Sequence, residues 1–185
     1  MELIDTHCHI YYDSYKKDIE EVIINASKHN VTKMICVGVD IISSKQSLDL
    51  ANNYSSVFAS CGIHPHESKD AKTNYLYKLE EITKSKKIVA IGETGLDYFY
   101  NHSDKETQKK TFIEQLELSK TLDYPVIIHC REAENDIIDC IKLTNATKGV
   151  IHCFSGSRNF AEELFNLGFM ISFTGMVTFK NDIPE

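Results

Sequence analysis

The segment Asp5-Thr6-His7-Cys8-His9 places a carboxylate and two imidazoles at a spacing of two residues. Side chains alternate between the faces of a strand, so Asp5, His7 and His9 share one face if the segment is extended. Two imidazoles at one strand end can hold a single borderline divalent ion. Taken alone, the motif also fits a pair of structural histidines in a polar core. Other residues decide between the two. His129 closes the apolar run Val126-Ile127-Ile128, His152 closes Val150-Ile151, and Glu93 follows Ile88-Val89-Ala90-Ile91-Gly92. Several such histidines at separate strand ends are hard to explain as packing. A carboxylate among them escapes much of the cost of burial if it bridges two cations. His7, His9, Glu93, His129 and His152 are therefore read as a metal centre, with Glu93 as its catalytic carboxylate.

These residues need elements to carry them. Short runs rich in Val, Ile or Phe predict strands at 2–7, 33–39, 57–63, 88–92, 125–130, 149–154 and 169–174. Their near-continuous apolar character is that of parallel strands covered on both faces. Helical stripes lie between them. Ile19, Val22, Ile23 and Ala26 share one face, as do Leu76, Leu79 and Ile82. Phe112 and Leu116 seed a longer helix, Ile137, Ile138 and Ile141 another. Ser157 caps a last one, which Gly168 ends. Strands alternating with helices predict an α/β fold with a parallel sheet. The polar residues sit at the C-terminal ends of different strands, and a TIM-type barrel gathers such ends around one mouth. Seven of eight β/α units are read. Residues 176–185 do not form another, so the expectation is one hydrolase domain, 1–185, truncated before the eighth strand.

With 20 Lys and Arg against 27 Asp and Glu, the net charge of −7 excludes a protein that grips nucleic acid by bulk electrostatics. Bound cations can still supply a positive field for a phosphate substrate. No apolar run is long enough to span a bilayer, and Met1-Glu2-Leu3-Ile4-Asp5 has no signal-peptide character. A cytoplasmic address and no membrane association are expected. The six cysteines form no C-x-x-C pair, and Cys8, Cys130 and Cys153 each follow a histidine. Alternation should turn them away from the site as small buried hydrophobes.

Six segments in order carry a resemblance. They are Asp5-Thr6-His7-Cys8-His9, Gly62-Ile63-His64-Pro65-His66, Ile91-Gly92-Glu93-Thr94-Gly95-Leu96-Asp97-Tyr98, Ile128-His129-Cys130-Arg131-Glu132-Ala133, His152-Cys153-Phe154-Ser155-Gly156 and the run from Thr174 to Asn181. Together they resemble the TatD-like metal-dependent deoxyribonucleases of the amidohydrolase superfamily. The resemblance implies a TIM-type barrel and two divalent ions (Mg, Mn or Zn). It further implies His7 and His9 on one ion, His129 and His152 on the other, and Glu93 between them. An aspartate that the family carries after its eighth strand has no counterpart here, which leaves the His7–His9 half as the less complete one.

The remaining candidates concern substrate. His64 either hydrogen-bonds a phosphate or leaving group or fixes the turn before Pro65. The guanidinium of Arg131 suits a phosphate diester better than a salt bridge to Glu132, Glu134 or Asp136. Lys180 lies where barrels bind phosphate, although a solvated lysine fits equally. Asp97 and Asp5 can orient a histidine ligand from behind. Lys84, Lys86 and Lys87 precede a strand and read as a solvated face. The leading expectation is hydrolysis of DNA phosphodiester bonds by a metal-activated water, on single-stranded or short ends. Alternatives are an ester or amide hydrolase on the same scaffold, or a catalytically silent chain. No stable protein partner is expected, apart from self-association through an open barrel edge.

Overall fold

A computed structural model describes residues 1–179, and Lys180 lies outside them. Seven strands form one parallel sheet in chain order: β1 (Leu3–Cys8), β2 (Val31–Val37), β3 (Val57–Cys61), β4 (Ile88–Asp97), β5 (Val126–Arg131), β6 (Gly149–Ile151) and β7 (Phe169–Ile171). Each strand is bonded to the next in sequence, with a helix between every pair. These are α1 (Ile19–Lys28), α2 (Ile41–Asn53), α3 (Tyr75–Thr83), α4 (Lys105–Leu122), α5 (Glu134–Thr144) and α6 (Arg158–Asn166). The sheet curls as a TIM-type barrel does, and the described residues supply seven of its strands. No helix among the described residues is long and apolar enough to cross a membrane.

The core divides as a curled sheet requires. Two clusters lie between sheet and helices: Leu96, Ile128, Ile151 and Phe112 anchor one, and Met34, Cys36, Ala59 and Leu79 the other. On the concave side Val37, Ala90 and Ile127 form a small separate cluster with Ile35 and Val150. Alternation along β2 produces this split, with Ile35 and Val37 inward and Met34 and Cys36 outward.

Helix α2 has no apolar stripe to announce it, because Ser43, Ser44, Ser47 and Ala51 make up its buried face. Small side chains let it lie close on β3. Its start is fixed by a capping box: Asp40 Oδ1 accepts from the Ser43 backbone N–H at 2.7 Å, and Ser43 Oγ accepts from the Asp40 N–H at 2.9 Å. The expectation of a solvated Lys87 is corrected. Its Nζ donates to the carbonyls of Tyr54, Ser55 and Val57, tying β4 to the start of β3. Cys153 also departs from the buried reading. Strand β6 ends at Ile151, so alternation no longer governs residue 153, which turns through φ +48° and stays partly exposed beside Thr174 and Met176.

Strand β4 matters most for the site. It does not end at Gly92 but runs on to Asp97. Ile91 pairs with Val126 and Thr94 with Ile128, so three steps on β4 oppose two on β5. Strict alternation from the inward Ala90 would turn Glu93 toward the helices. The bulge re-aims it into the concave face, and Gly95 and Asp97 follow on the same side. Gly92 sits at φ +135°, and a Cβ there would lie 2.5 Å from the Ile127 carbonyl oxygen. Gly95 is similar at φ +137°, 2.0 Å from the His129 carbonyl oxygen.

Candidate metal centre

Glu93 is the hub. Its carboxylate is 3% exposed, and five imidazoles from four segments surround it. His7 Nε2 lies 3.3 Å and His9 Nε2 3.9 Å from Oε2. Around Oε1 are His129 Nδ1 at 3.1 Å, His64 Nε2 at 3.5 Å and His152 Nε2 at 2.7 Å. The C-terminal ends of β1, β3, β5 and β6 deliver these rings, and the bulge in β4 delivers the carboxylate.

Two groups within this cluster have donor atoms close enough to close on a cation: His7, His9 and Glu93, and His64, Glu93 and His129. The Nε2 atoms of His7 and His9 are only 3.2 Å apart, so both lone pairs aim at nearly the same point. His9 is held there from behind, its Nδ1–H donating to the Val37 carbonyl at 3.0 Å. His152 stacks on His7, with ring centroids 3.8 Å apart and planes within 9°. His7 Nδ1 and both ring nitrogens of His152 are buried without a hydrogen-bond partner among the described residues. The close approach of His152 to Glu93 therefore lacks hydrogen-bonding geometry. An orphaned nitrogen at a buried carboxylate, as His152 Nε2 is, is expensive in a static polar core, and it is what a divalent cation would use. The donor set of imidazole and carboxylate fits Zn²⁺ or Mn²⁺ and tolerates Mg²⁺.

Electrostatics agree with this fit. Burial alone would raise the Glu93 pKa, yet the hydrogen bond from His129 and the nearness of the other imidazoles hold it well below the usual carboxylate range. Burial lowers the pKa of His9, His64 and His152, which favours neutral rings with free lone pairs. His129 goes the other way. Burial opposes its charge, but Asp97 and Glu93 together push it up to about 9. Its proton neutralises part of the carboxylate charge that a cation would neutralise.

Asp97 stands behind the cluster. Its Oδ2 accepts from His129 Nε2–H at 3.0 Å and from His66 Nε2–H at 2.9 Å. Its Oδ1 takes the backbone N–H groups of Phe99 at 3.1 Å and Tyr100 at 2.9 Å. Asp5 reaches its histidine differently: Oδ1 accepts from the backbone N–H of His7 at 3.0 Å and leaves the ring untouched. His64 also serves the turn, because its Nδ1 accepts from the His66 N–H at 3.2 Å. Arg131 forms no ion pair among the described residues, and its guanidinium lies 5.0 Å above the Phe99 ring. Asp136 instead meets Tyr98 and Lys109, and Glu134 meets Ser157.

Three contributors had not been picked out from sequence. His66 repeats the His-x-His spacing of the first strand, a signal that was available. Gln108 and Gln115 carried none, since a glutamine in a helix reads as surface. Both are fully buried. Gln108 holds Asp97 by accepting from its N–H at 2.8 Å and donating to its carbonyl at 3.0 Å. Gln115 does the same for Ile63, at 2.8 and 3.0 Å, and so fixes the backbone next to His64.

Comparison with known proteins gives this geometry a family. A sequence model described as TatD related DNase matches residues 4–184. The chain is 38% identical over 181 residues to an uncharacterized metal-dependent hydrolase, YabD, of Bacillus subtilis, covering 97% of this chain and 71% of that protein. It is 31% identical over 177 residues to a 3′-5′ ssDNA/RNA exonuclease TatD of Klebsiella pneumoniae, covering 95% and 67%. The crystal structure of YJJV, a TatD homolog from Escherichia coli, superposes with a TM-score of 0.88 at 33% identity, covering 96% of this chain and 70% of that one. The chain belongs to the TatD related DNase family of metal-dependent hydrolases.

Proposed function

We propose that this protein hydrolyses phosphodiester bonds of DNA, acting on single-stranded or short ends. The observation that carries the reading is the buried Glu93 carboxylate with imidazoles on both of its oxygens, in a chain 31% identical to a protein named as a 3′-5′ ssDNA/RNA exonuclease. His7, His9 and Glu93 would hold one divalent ion, and Glu93, His129 and His64 or His152 a second. Such ions supply Lewis acidity, which makes water nucleophilic at neutral pH and offsets charge on the phosphoryl and leaving oxygens.

The chain's own residues set the stage for that chemistry. Glu93 stays ionised, so it brings one fixed negative charge to the centre. Asp97, clamped by Gln108, fixes the orientation of His129 and His66. The Arg131 guanidinium lies over the Phe99 ring and forms no ion pair among the described residues, which leaves its N–H groups for a phosphate oxygen. With a net charge of −7, long duplex is disfavoured and short ends are favoured.

The test is cleavage of a labelled single-stranded oligonucleotide by the purified protein, with and without chelator. Activity that disappears in EDTA and in Glu93→Ala is the expected result. Undiminished cleavage under either condition would sink the reading.

A further inference from the structure

The turn after β4 carries side chains that neither the core nor the metal centre uses. Phe99 and Tyr100 are exposed, at 51% and 59%, and His102 beside them is exposed as well. Exposed aromatics occur elsewhere on this surface, so exposure alone means little. Placement sets this group apart. The backbone N–H groups of Phe99 and Tyr100 are both tied to Oδ1 of Asp97, whose other oxygen takes His129 and His66. The aromatic turn and the metal centre thus share one carboxylate. His66 bridges them a second time, meeting the Tyr100 ring edge-on at 5.6 Å and the His102 ring at 4.5 Å.

Within the turn the rings are ordered. Tyr100 and His102 lie in planes within 3° of each other, and Phe99 meets Tyr100 edge-on at 4.8 Å. Arg131 lies over Phe99 at 5.0 Å, free of any ion pair among the described residues. The parallel faces of Tyr100 and His102, with a guanidinium held over the neighbouring Phe99, are the elements by which proteins hold single-stranded nucleic acid: bases stack on rings and a phosphate meets the arginine. Stacking is also what this protein needs. Its net charge of −7 denies it the bulk electrostatic attraction that usually supplies affinity for a polyanion.

We propose that Tyr100 and His102, with Arg131 held over Phe99, form a base-stacking platform that seats the unpaired terminal bases of a nucleic-acid strand beside the metal centre. This rests on the nuclease reading for its purpose, but its test reads binding rather than cleavage. Because stacking is tolerant of sequence, the platform selects single strands over duplex, whose bases are already stacked, and does not select among bases.

Binding of a short phosphorothioate-linked oligothymidylate, which resists hydrolysis, is measured by fluorescence anisotropy on the metal-loaded protein. A second oligonucleotide carries abasic residues at its 3′ end. Tyr100→Ala should weaken binding of the base-bearing strand about 5- to 150-fold, the range for loss of one base–aromatic stack. Its effect on the abasic strand should be several-fold smaller, and Tyr100→Phe should bind like the parent. Phe99→Ala should weaken both strands, because it also removes the support under Arg131. Equal losses on both strands for Tyr100→Ala, no loss on either, or a parent protein that binds neither strand overturns the platform. Failure of the nuclease reading looks different: a parent that binds the oligothymidylate through Tyr100 but cleaves no phosphodiester in the metal-loaded state.

Discussion

Replacing Gln108 with leucine keeps the side-chain volume and removes nothing from the histidine–glutamate cluster itself. Gln108 is wholly buried, accepts from the Asp97 N–H at 2.8 Å, and donates to the carbonyls of Asp97 and Ser103 at 3.0 and 2.7 Å. Leucine leaves these backbone groups without that partner. A buried donor or acceptor left unsatisfied costs about 1–3 kcal/mol. The N–H of Asp97 bears this in full, and the two carbonyls, each with a second lone pair, bear less. A loss of about 2–4 kcal/mol follows, a fall in Tm of about 5–15 °C for a chain of this size. The second consequence is functional. Asp97 orients His129 and His66, so freeing its backbone should weaken metal binding about 10- to 100-fold, the range found for partners that orient a ligand. Thermal denaturation and metal titration on the same preparation check both. A Gln108→Leu protein whose Tm and metal affinity match the parent would refute the argument that this clamp positions Asp97.

Other substitutions probe separate parts of the account. Gly92→Ala must place a Cβ 2.5 Å from the Ile127 carbonyl oxygen at φ +135°, and should turn Glu93 out of the centre; lost metal binding in a protein that retains its helical circular dichroism is the expected signature. Asp40→Ala removes one half of the α2 capping box and should cost about 1 kcal/mol in urea denaturation without altering metal stoichiometry. Lys87→Met removes a Nζ that holds three carbonyls at the base of β3, far along the strands from the site. It should lower stability by about 1–2 kcal/mol and leave metal affinity as it was.

Sequence patterns carried the architecture further than the site. Parallel strands leave short apolar runs, and these were readable at every one of the seven positions, although β1 is not covered on both faces and leaves Leu3 and Ile4 exposed. His129 and His152 stood out because an imidazole at the end of such a run has no packing role. Helix α2 was hidden, since a helix packed through serines has no hydrophobic period to detect, although the Asp40 to Ser43 spacing marked its start. The inward aim of Glu93 could not be read either. It depends on a bulge, which breaks the two-residue period on which such reasoning rests. Gln108 and Gln115 were invisible for a related reason: their importance lies in backbone groups far away in sequence, 11 and 52 residues distant, and no local pattern records that. Lys87 illustrates the opposite error, a charged residue that looks solvated in a basic run but spends its charge on carbonyls.

Glu93, ringed by imidazoles, is the hub of the proposed divalent-metal centre. Isothermal titration of the chelator-stripped protein with Mn²⁺ tests it most directly when Glu93→Gln is run beside the parent, since glutamine keeps the shape and removes the charge. Saturable binding by the parent is expected, with a loss of affinity of 100-fold or more in Glu93→Gln, about 2.7 kcal/mol or more. Equal affinity in the two proteins, or a folded parent that binds no metal, would contradict it.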